Sequence, residues 1–545
     1  MPFAISPVKC VVAGRALWRR RWLLCAVLLA SFSFAVGAQQ SGAKLRGPKL
    51  PAPDKIVESH LKAVGGKKVQ ASIRDATYEW SVWRRSEESG QGRDTATAGR
   101  ARSFEKFPGS TRADIMLEDG ELNSAANARS AWARGADRTL RTLTDREAGA
   151  AKLSAALAAT RLTNYKKQDV LARTAGIEQI GEEPAYRVEF SRRNGARVSY
   201  WFSVARKLLV QSRDEARSLT LRFGDYRPAG GATKNALEPH HLEIIDGGAQ
   251  PLTLTLERAR YNTGLSDSLF EPPSDQTLDV PALLREVGRN QRQVDERISE
   301  YTYTRKGVER EISDRGEVKK EKIEVHEIYP VPGGGRVLKL ISENDVPLSL
   351  ERMAKEEKRV AEELEKIERE NQKRKEKREE AQRRNESGAG KDGDDDVGIT
   401  TFLRTSEFLS PRRERFRDRE AIVFDFRPRP GFKPSNSGES IGSKLSGVAW
   451  IDPQEKQVMR LEARLDQSFK VGGGLVASVK PGSAVVFEQT RLPDGVWLPR
   501  FSQINASAKV FLFAGFRIDE TREYSDYKRF STKTDDAKID APAKP

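Results

Sequence analysis

The stretch "VAWIDPQEKQVMRLEA", residues 448–463, places alternating apolar residues on either side of Asp452-Pro453 and reads as strand, turn, strand. A looser version, "SYWFSVARKLLVQSRD" at 199–214, aligns with it without a gap at an offset of 249, Trp450 over Trp201 and Met459 over Val210. Two further pairs keep the same order. "EPAYRVEF" from Glu183 matches "REAIVFDF" from Arg419 at offset 236, with Tyr186, Val188 and Phe190 over Ile422, Phe424 and Phe426. "LEPHHLEI" from Leu237 matches "WLPRFSQI" from Trp497 at offset 260. Offsets that grow steadily are what a duplicated domain with loop insertions produces, so two tandem copies of one β-rich domain are expected.

The rest of the chain fits that frame. At 545 residues it is too long for a single hydrophobic core. "PDKIVESHLKAVGG" predicts a helix with Asp54 at its N-cap, Val57, Leu61 and Val64 on one face, and Gly65-Gly66 as its stop. "DATYEWSVWRR" alternates like a half-buried strand, and "TDRE" at 144–147 is a capping box opening a helix to about Ala159. Past "FEPPSDQTLDVP" a second helix is expected from Asp279 and Pro281, with Leu284, Val287, Gln291, Val294 and Ile298 along one face, and strands follow it. The expected domains are 54–275 and 280–530. The second carries an inserted charged helix at 349–386, in the slot of the first domain's lid helix, and a flexible loop at 387–398. A linker at 39–53 and a disordered tail at 531–545 complete the chain.

Residues 1–38 read as a signal peptide. Arg19, Arg20 and Arg21 precede the apolar run "WLLCAVLLASFSFAV", which is short for a bilayer span of roughly 20 residues. "VGA" before Gln39 supplies the small residues of a cleavage site, so removal after Ala38 and an extracytoplasmic, periplasmic location are expected. The leader holds five cations and no acid, so its loss lowers the net charge from +16 to +11. Both cysteines, Cys10 and Cys25, lie in it, which excludes thiol chemistry and disulfides from the remainder.

Motifs with chemical meaning fail on context. "GESIG" at 438–442 has the nucleophile-elbow spacing, but it reads as a loop, and no histidine follows it in the chain, His326 being the last. "VGGGLVASV" lacks the helix and the acid of a dinucleotide fingerprint and reads as a glycine turn between strands. "DGDDD" at 392–396 has Val397 where a calcium loop needs glycine and Leu403 where it needs glutamate. His60 falls on the apolar face of the first helix and reads as a packed residue. His240 and His241 point to opposite faces of a strand, so no metal site is expected. In the charged helix, Leu350, Met353, Val360, Leu364 and Ile367 keep coiled-coil-like heptad spacing, broken by Glu357. Beyond Ile367 only i,i+4 charge pairs support it, so Leu350–Ile367 is a candidate partner surface and the remainder a projecting arm. Its mildly basic end suits peripheral contact with anionic lipid, and its interspersed glutamates argue against nucleic acid.

The quoted segments resemble the outer-membrane lipoprotein carrier and sorting (LolA/LolB-like) superfamily. "IVESHLKAVGGKKVQASIRDATYEW", "IGEEPAYRVEF" and "YWFSVARKLLVQ" carry the likeness across 54–275, and "AIVFDF", "GVAWIDPQEKQVMRLEA" and "DGVWLP" carry it across 280–530. The resemblance implies an α+β fold of mainly antiparallel, curved β-sheets, open half-barrels each covered by helices, in two tandem domains. Acyl chains would lie between sheet and lid. It also implies lipoprotein transport or lipid binding, without enzymatic activity or a cofactor, and a lipid or lipidated protein as partner. Trp80, Trp201, Phe424, Phe426, Trp450 and Trp497 fall in alternating strands and are the candidate apolar cavity lining; the alternative is a closed core filled by its own side chains. The corresponding alternative function is an envelope interaction or sensor scaffold acting through the charged helix.

Overall fold

A computed structural model describes residues 50–84, 99–192, 195–229, 235–247, 250–313, 318–331, 335–383, 399–471, 477–510 and 514–529. The expected signal peptide, most of the linker, the loop at 387–398, the glycines at 472–474 and the tail at 531–545 lie outside the described residues. The chain divides into two compact units that meet at Pro272 and Pro273.

In the first unit, α1 (Pro53–Ala63) and α2 (Lys67–Ser72) precede β1 (Asp75–Arg84), β2 (Gly99–Lys106), β3 (Ser110–Leu117), β4 (Gly120–Ala126), β5 (Ala131–Arg134) and β6 (Leu140–Thr142). Then come α3 (Asp145–Ala159), β7 (Leu171–Ile180), β8 (Glu183–Ser191), β9 (Arg197–Ser203), β10 (Leu209–Asp214), β11 (Leu219–Pro228), β12 (Leu237–Asp246) and β13 (Leu252–Tyr261). The strands form one antiparallel sheet, ordered β6-β5-β4-β3-β2-β1-β13-β12-β11-β10-β9-β8-β7, with β6 and β7 as open ends. Alternation gives this sheet a dry face, which another element must cover. Alanine-rich α3 lies across it, burying Ala150, Leu153, Ala156 and Leu157, and its small side chains allow close approach. Two caps differ from expectation. Ala52 is the N-cap of α1, with Pro53 at the first helical position; Asp54 instead accepts from Lys166 Nζ at 2.6 Å and from the Tyr165 hydroxyl. Thr144 stands at the N-cap of α3 without a side-chain bond, Asp145 after it takes φ 52°, and the Glu147 carboxylate pairs with Arg141 at 2.5 Å, so the capping box does not form.

The second unit runs α4 (Val280–Arg297), β14 (Tyr301–Ile312), β15 (Val318–Pro330), β16 (Arg336–Glu343), β17 (Val346–Pro347), α5 (Leu350–Arg383) and α6 (Ile399–Thr405). It continues with β18 (Ser406–Phe416), β19 (Arg419–Pro428), α7 (Ser437–Gly442), β20 (Leu445–Ile451), β21 (Val458–Leu465), β22 (Phe469–Val471) and β23 (Ala477–Val479). β24 (Ala484–Arg491), β25 (Trp497–Val510) and β26 (Ala514–Arg529) close the list. Its antiparallel sheet is ordered β17-β16-β15-β14-β26-β25-β24-β21-β20-β19-β18, with the β22–β23 hairpin attached to β25. Counted outward from β14 this is the order counted outward from β1. The differences are that β5 and β6 have no counterpart and that β22–β23 is added. Both sheets are α+β elements with open ends, as the fold class anticipates.

The two hairpins that align in sequence have the same turn. Ser203 N bonds to Leu208 O and Asp452 N to Gln457 O, both at 2.8 Å; Lys207 N bonds to Ser203 O and Lys456 N to Asp452 O, both at 3.0 Å. Lys207 and Lys456 both take the left-handed conformation, at φ 63° and 52°. Each turn is held by the unit's first helix. Buried His60 of α1 packs on Phe202 at 5.2 Å with Nδ1 3.3 Å from Lys207 O, and Asn290 of α4 donates from Nδ2 to Glu455 O at 2.9 Å.

Two expectations about the second unit are corrected. "GESIG" is no loop: Asn436 caps α7 by accepting from Glu439 N at 2.8 Å, and Glu439 is buried there. The charged helix α5 does not take the slot of α3; α6, which leads into β18 as α3 leads toward β7, stands there. α5 instead lies along β16, whose neighbour β17 pairs only with Ser342 and Glu343. Glu356 accepts from Leu340 N at 2.8 Å and Arg359 donates to Leu338 O, so helix side chains satisfy backbone groups that the open edge leaves bare. Glu356, Val360, Glu363, Ile367 and Asn371 are half-buried, whereas Leu350 and Met353 are 86% and 40% exposed. The heptad stripe is thus turned partly outward, because the edge demands polar side chains rather than apolar ones.

Two outcomes follow from these contacts. Burial holds the His60 imidazole down at about 4, with the Lys207 carbonyl opposing that shift and Arg161 adding to it. The native state therefore resists a proton that the unfolded chain binds from about pH 6.5 downward, so stability falls between pH 6.5 and 4, by about 3 kcal/mol from this group. His60→Asn, which installs the group found at Asn290, is expected to flatten that part of a denaturation-versus-pH curve. Replacing both Glu356 and Arg359 by alanine is expected to raise amide hydrogen exchange at Leu340 roughly tenfold, the loss of about one hydrogen bond's net worth.

Candidate functional site

The six candidate cavity residues are all buried, and they occupy four places. Trp80 (7% exposed) packs with Tyr78, Val82, Leu254 and Leu256 and donates from Nε1 to Ser103 Oγ at 3.0 Å. Trp201 packs with Ala185 and Val210 and donates to Glu178 Oε2 at 2.8 Å. It points away from Tyr200 and Phe202, which belong to the core beneath α1 and α3. Trp450 and Trp497 come together with Val294, Val423 and Met459, and Trp497 donates to Glu455 Oε2 at 2.7 Å. Phe424 and Phe426, on the opposite face of β19 from Val423, stack against Phe408 at 5.8 and 6.3 Å, and Phe402 meets Phe426 at 4.5 Å.

Beside the apolar core beneath α1 and α3, the first unit also buries an ionic network. After α3 the chain turns through Arg161 and Leu162 at φ 50° and 57°, which aims Arg161 inward. Its guanidinium pairs with Glu238 Oε1, donates to Tyr78 OH at 2.7 Å and to Gln70 Oε1, and stands 3.5 Å from Glu105. Tyr261 donates to Glu238 at 2.8 Å. Burial works against the charge on Arg161, yet Glu238 and its neighbours raise its pKa well above the ordinary value; burial likewise pushes Tyr78 far up. Every member is neutral or paired near pH 7. This is a buried structural network inside the first unit, and nothing in the sequence pattern marked it, because its members are spread along the chain from Gln70 to Tyr261.

The second unit differs. Between α4, α6, the start of β18 and Arg429-Pro430 lies an open cleft of about 1080 Å³. The core stripe of α4, Leu283, Val287, Gln291 and Val294, is buried. The adjoining stripe, Leu284, Gly288 and three arginines, faces the cleft. Gly288 is half-buried in mid-helix, where glycine costs about 1 kcal/mol relative to alanine. A Cβ there would stand 3.7 Å from Leu403 Cδ1, so its absence widens the cleft at this level. Leu403 and Phe408 form the opposite wall, and Phe408 rests on Phe424 and Phe426, the two predicted residues nearest the cleft. Ser406, also in the lining, is fully buried and its hydroxyl has no hydrogen-bond partner among the described residues. The arrangement offers an apolar trough with polar groups on its rim. No acid–base pair or nucleophile is assembled there, and among the described residues no group of three His, Cys, Asp or Glu is placed to hold a metal.

The buried network of the first unit can be checked by mutation. Arg161→Met leaves Glu238 uncompensated and is expected to cost about 3–5 kcal/mol in chemical denaturation. Adding Glu238→Gln should recover part of that loss, which a cavity-lining role for Arg161 would not produce.

No family model and no curated protein matches the chain. Among solved structures, it is similar to a LolA superfamily protein from Nitrosomonas europaea at 12% identity and TM-score 0.28, over 41% of this chain and 99% of that one. A DUF1329 family protein from Desulfovibrio piger matches at 12% identity and TM-score 0.26, over 40% of this chain and 96% of the other. MucB, in its complex with MucA(peri), matches at 7% identity and TM-score 0.15, over 87% of this chain and 99% of that one. Similarity at this level carries no residue role across to this chain.

Proposed function

We propose that the chain is a non-enzymatic extracytoplasmic binding protein that takes the acyl part of a lipid or lipidated partner into the cleft of its second unit, one per chain. The observation that carries this reading is the contrast between the units: the first holds the buried ionic network of Arg161, and the second has a trough walled by Leu284, Leu403 and Phe408. Its volume, about 1080 Å³, is slightly above the usual range of small-molecule sites, about 300–1,000 Å³. Each methylene taken out of water there contributes about 0.8 kcal/mol. The tandem-copy reading of 54–275 and 280–530 belongs to the same proposal, supported by the shared strand order and the shared turn. In it, the first copy has lost its ligand space and the second has kept it.

Native mass spectrometry of the chain, expressed with its leader and purified without detergent, tests the reading. One acyl species per chain is expected, and Gly288→Trp, which fills the trough from the helix side, should remove it while leaving the melting temperature within a few degrees. A bare mass that takes up no added phospholipid, or retention of ligand by Gly288→Trp, would contradict it. The scaffold reading draws on the exposed Leu350, Met353 and Leu364 of α5. Under that reading, deleting the whole charged helix, residues 349–386, would abolish partner capture, whereas a binding protein keeps its ligand.

A further inference from the structure

The rim of the cleft is basic. Arg285, Arg289 and Arg292 recur at i, i+4 and i+7 on α4, one helical face, beside Leu284 and Gly288. All three are exposed, and among the described residues none has a hydrogen-bond or ion-pair partner. The remaining charges of the lining are already engaged. Arg404 pairs with Glu439 at 2.8 Å, and Arg429 donates to Ser406 O at 3.1 Å. Glu407, the acid of the lining, is held by Arg427 at 2.8 Å. The buried arginines Arg412 and Arg460 of this unit, by contrast, are matched, Arg412 with Glu414 and Asp425, Arg460 with Glu462 and Glu488. Three adjacent guanidinium groups unmatched among the described residues thus stand over an apolar trough with a defined geometry.

We infer that the cleft binds an anionic amphiphile, with Arg285, Arg289 and Arg292 holding a phosphoryl head group at the rim while the acyl chain lies against Leu284, Leu403 and Phe408. This rests on the proposed acyl-binding function and names its ligand class. Guanidinium suits the role because its fork of N–H donors meets phosphate oxygens in pairs, and because it is less strongly hydrated than an ammonium group. The spacing along one helical face lets neighbouring arginines share one head group, and the apolar floor lowers the local dielectric beneath them. The head group is selected by charge and the chain by burial, so the two contributions are separable.

The test uses the full chain and two probes with the same palmitoyl chain, lysophosphatidic acid and 1-palmitoylglycerol, both below their aggregation limits, in isothermal titration. The wild type is expected to bind the phosphorylated probe at least about tenfold tighter, with the preference shrinking as salt rises. Arg285→Gln, Arg289→Gln and Arg292→Gln combined should bring the phosphorylated probe to the affinity of the neutral one and leave the neutral one unchanged. Equal wild-type affinities, or a preference that survives the triple variant, would overturn the head-group assignment while leaving the acyl site standing. If neither probe binds, both readings fall. Glycerol 3-phosphate separates the sources of the phosphoryl group: if it competes as well as the acylated probe, the arginines form a small-anion site and the amphiphile reading is overturned.

Discussion

An open antiparallel sheet has a dry face that must be covered and edge strands whose backbone groups must be answered, and both units of this protein are organised around that constraint. The first sheet is covered by α3, fifteen residues of mostly alanine and leucine that settle closely on it. The second has α6, seven residues, in the corresponding position. A short cover leaves space between itself and α4, and that space is the cleft. What separates the units is thus the length and composition of one helix against the same strand order.

Charge is used in two ways inside this frame. Buried groups such as Arg161 with Glu238, or Arg412 with Glu414 and Asp425, are ion-paired with one another. Ion pairs of this kind are costly to desolvate and costly to break, so they fix the packing more than they add to stability. Arg412 reaches its place because β18 carries a bulge between Leu409 and Arg412, with Ser410 at φ 48°. The arginines of α4 are the opposite case, with nothing to close the network within the described chain.

Much of the architecture could be read from the residues. The hairpins at 199–214 and 448–463 align because turn and alternation are local properties, and local hydrogen bonds reproduce them. Helix ends at Ala159 and Asp279 were equally visible, Asp279 accepting from Ala282 N at 3.0 Å as a cap. What depended on tertiary partners was hidden. The "TDRE" cap yields to the Arg141–Glu147 pair. "GESIG" becomes a helical turn where Gly442 packs against Thr405, two segments apart in the chain. The six aromatic candidates for a cavity lining are all buried, but alternation alone does not say which face meets a lid, and Trp201 and Phe424 lie on different sides of their sheets. The arginine spacing in α4 was present in the sequence; its meaning required knowing that Glu407, Glu439 and Asp425 were already taken.

The claim on which the account turns is that ligand enters the second unit and not the first. Photo-crosslinking with a diazirine-bearing fatty acid, followed by peptide mapping of the full chain, addresses it directly. Adducts confined to peptides spanning 280–292 and 400–408 are the predicted result. Adducts around Tyr78 and Trp80 beneath the Arg161 network, or labelling spread evenly over both sheets, would contradict it.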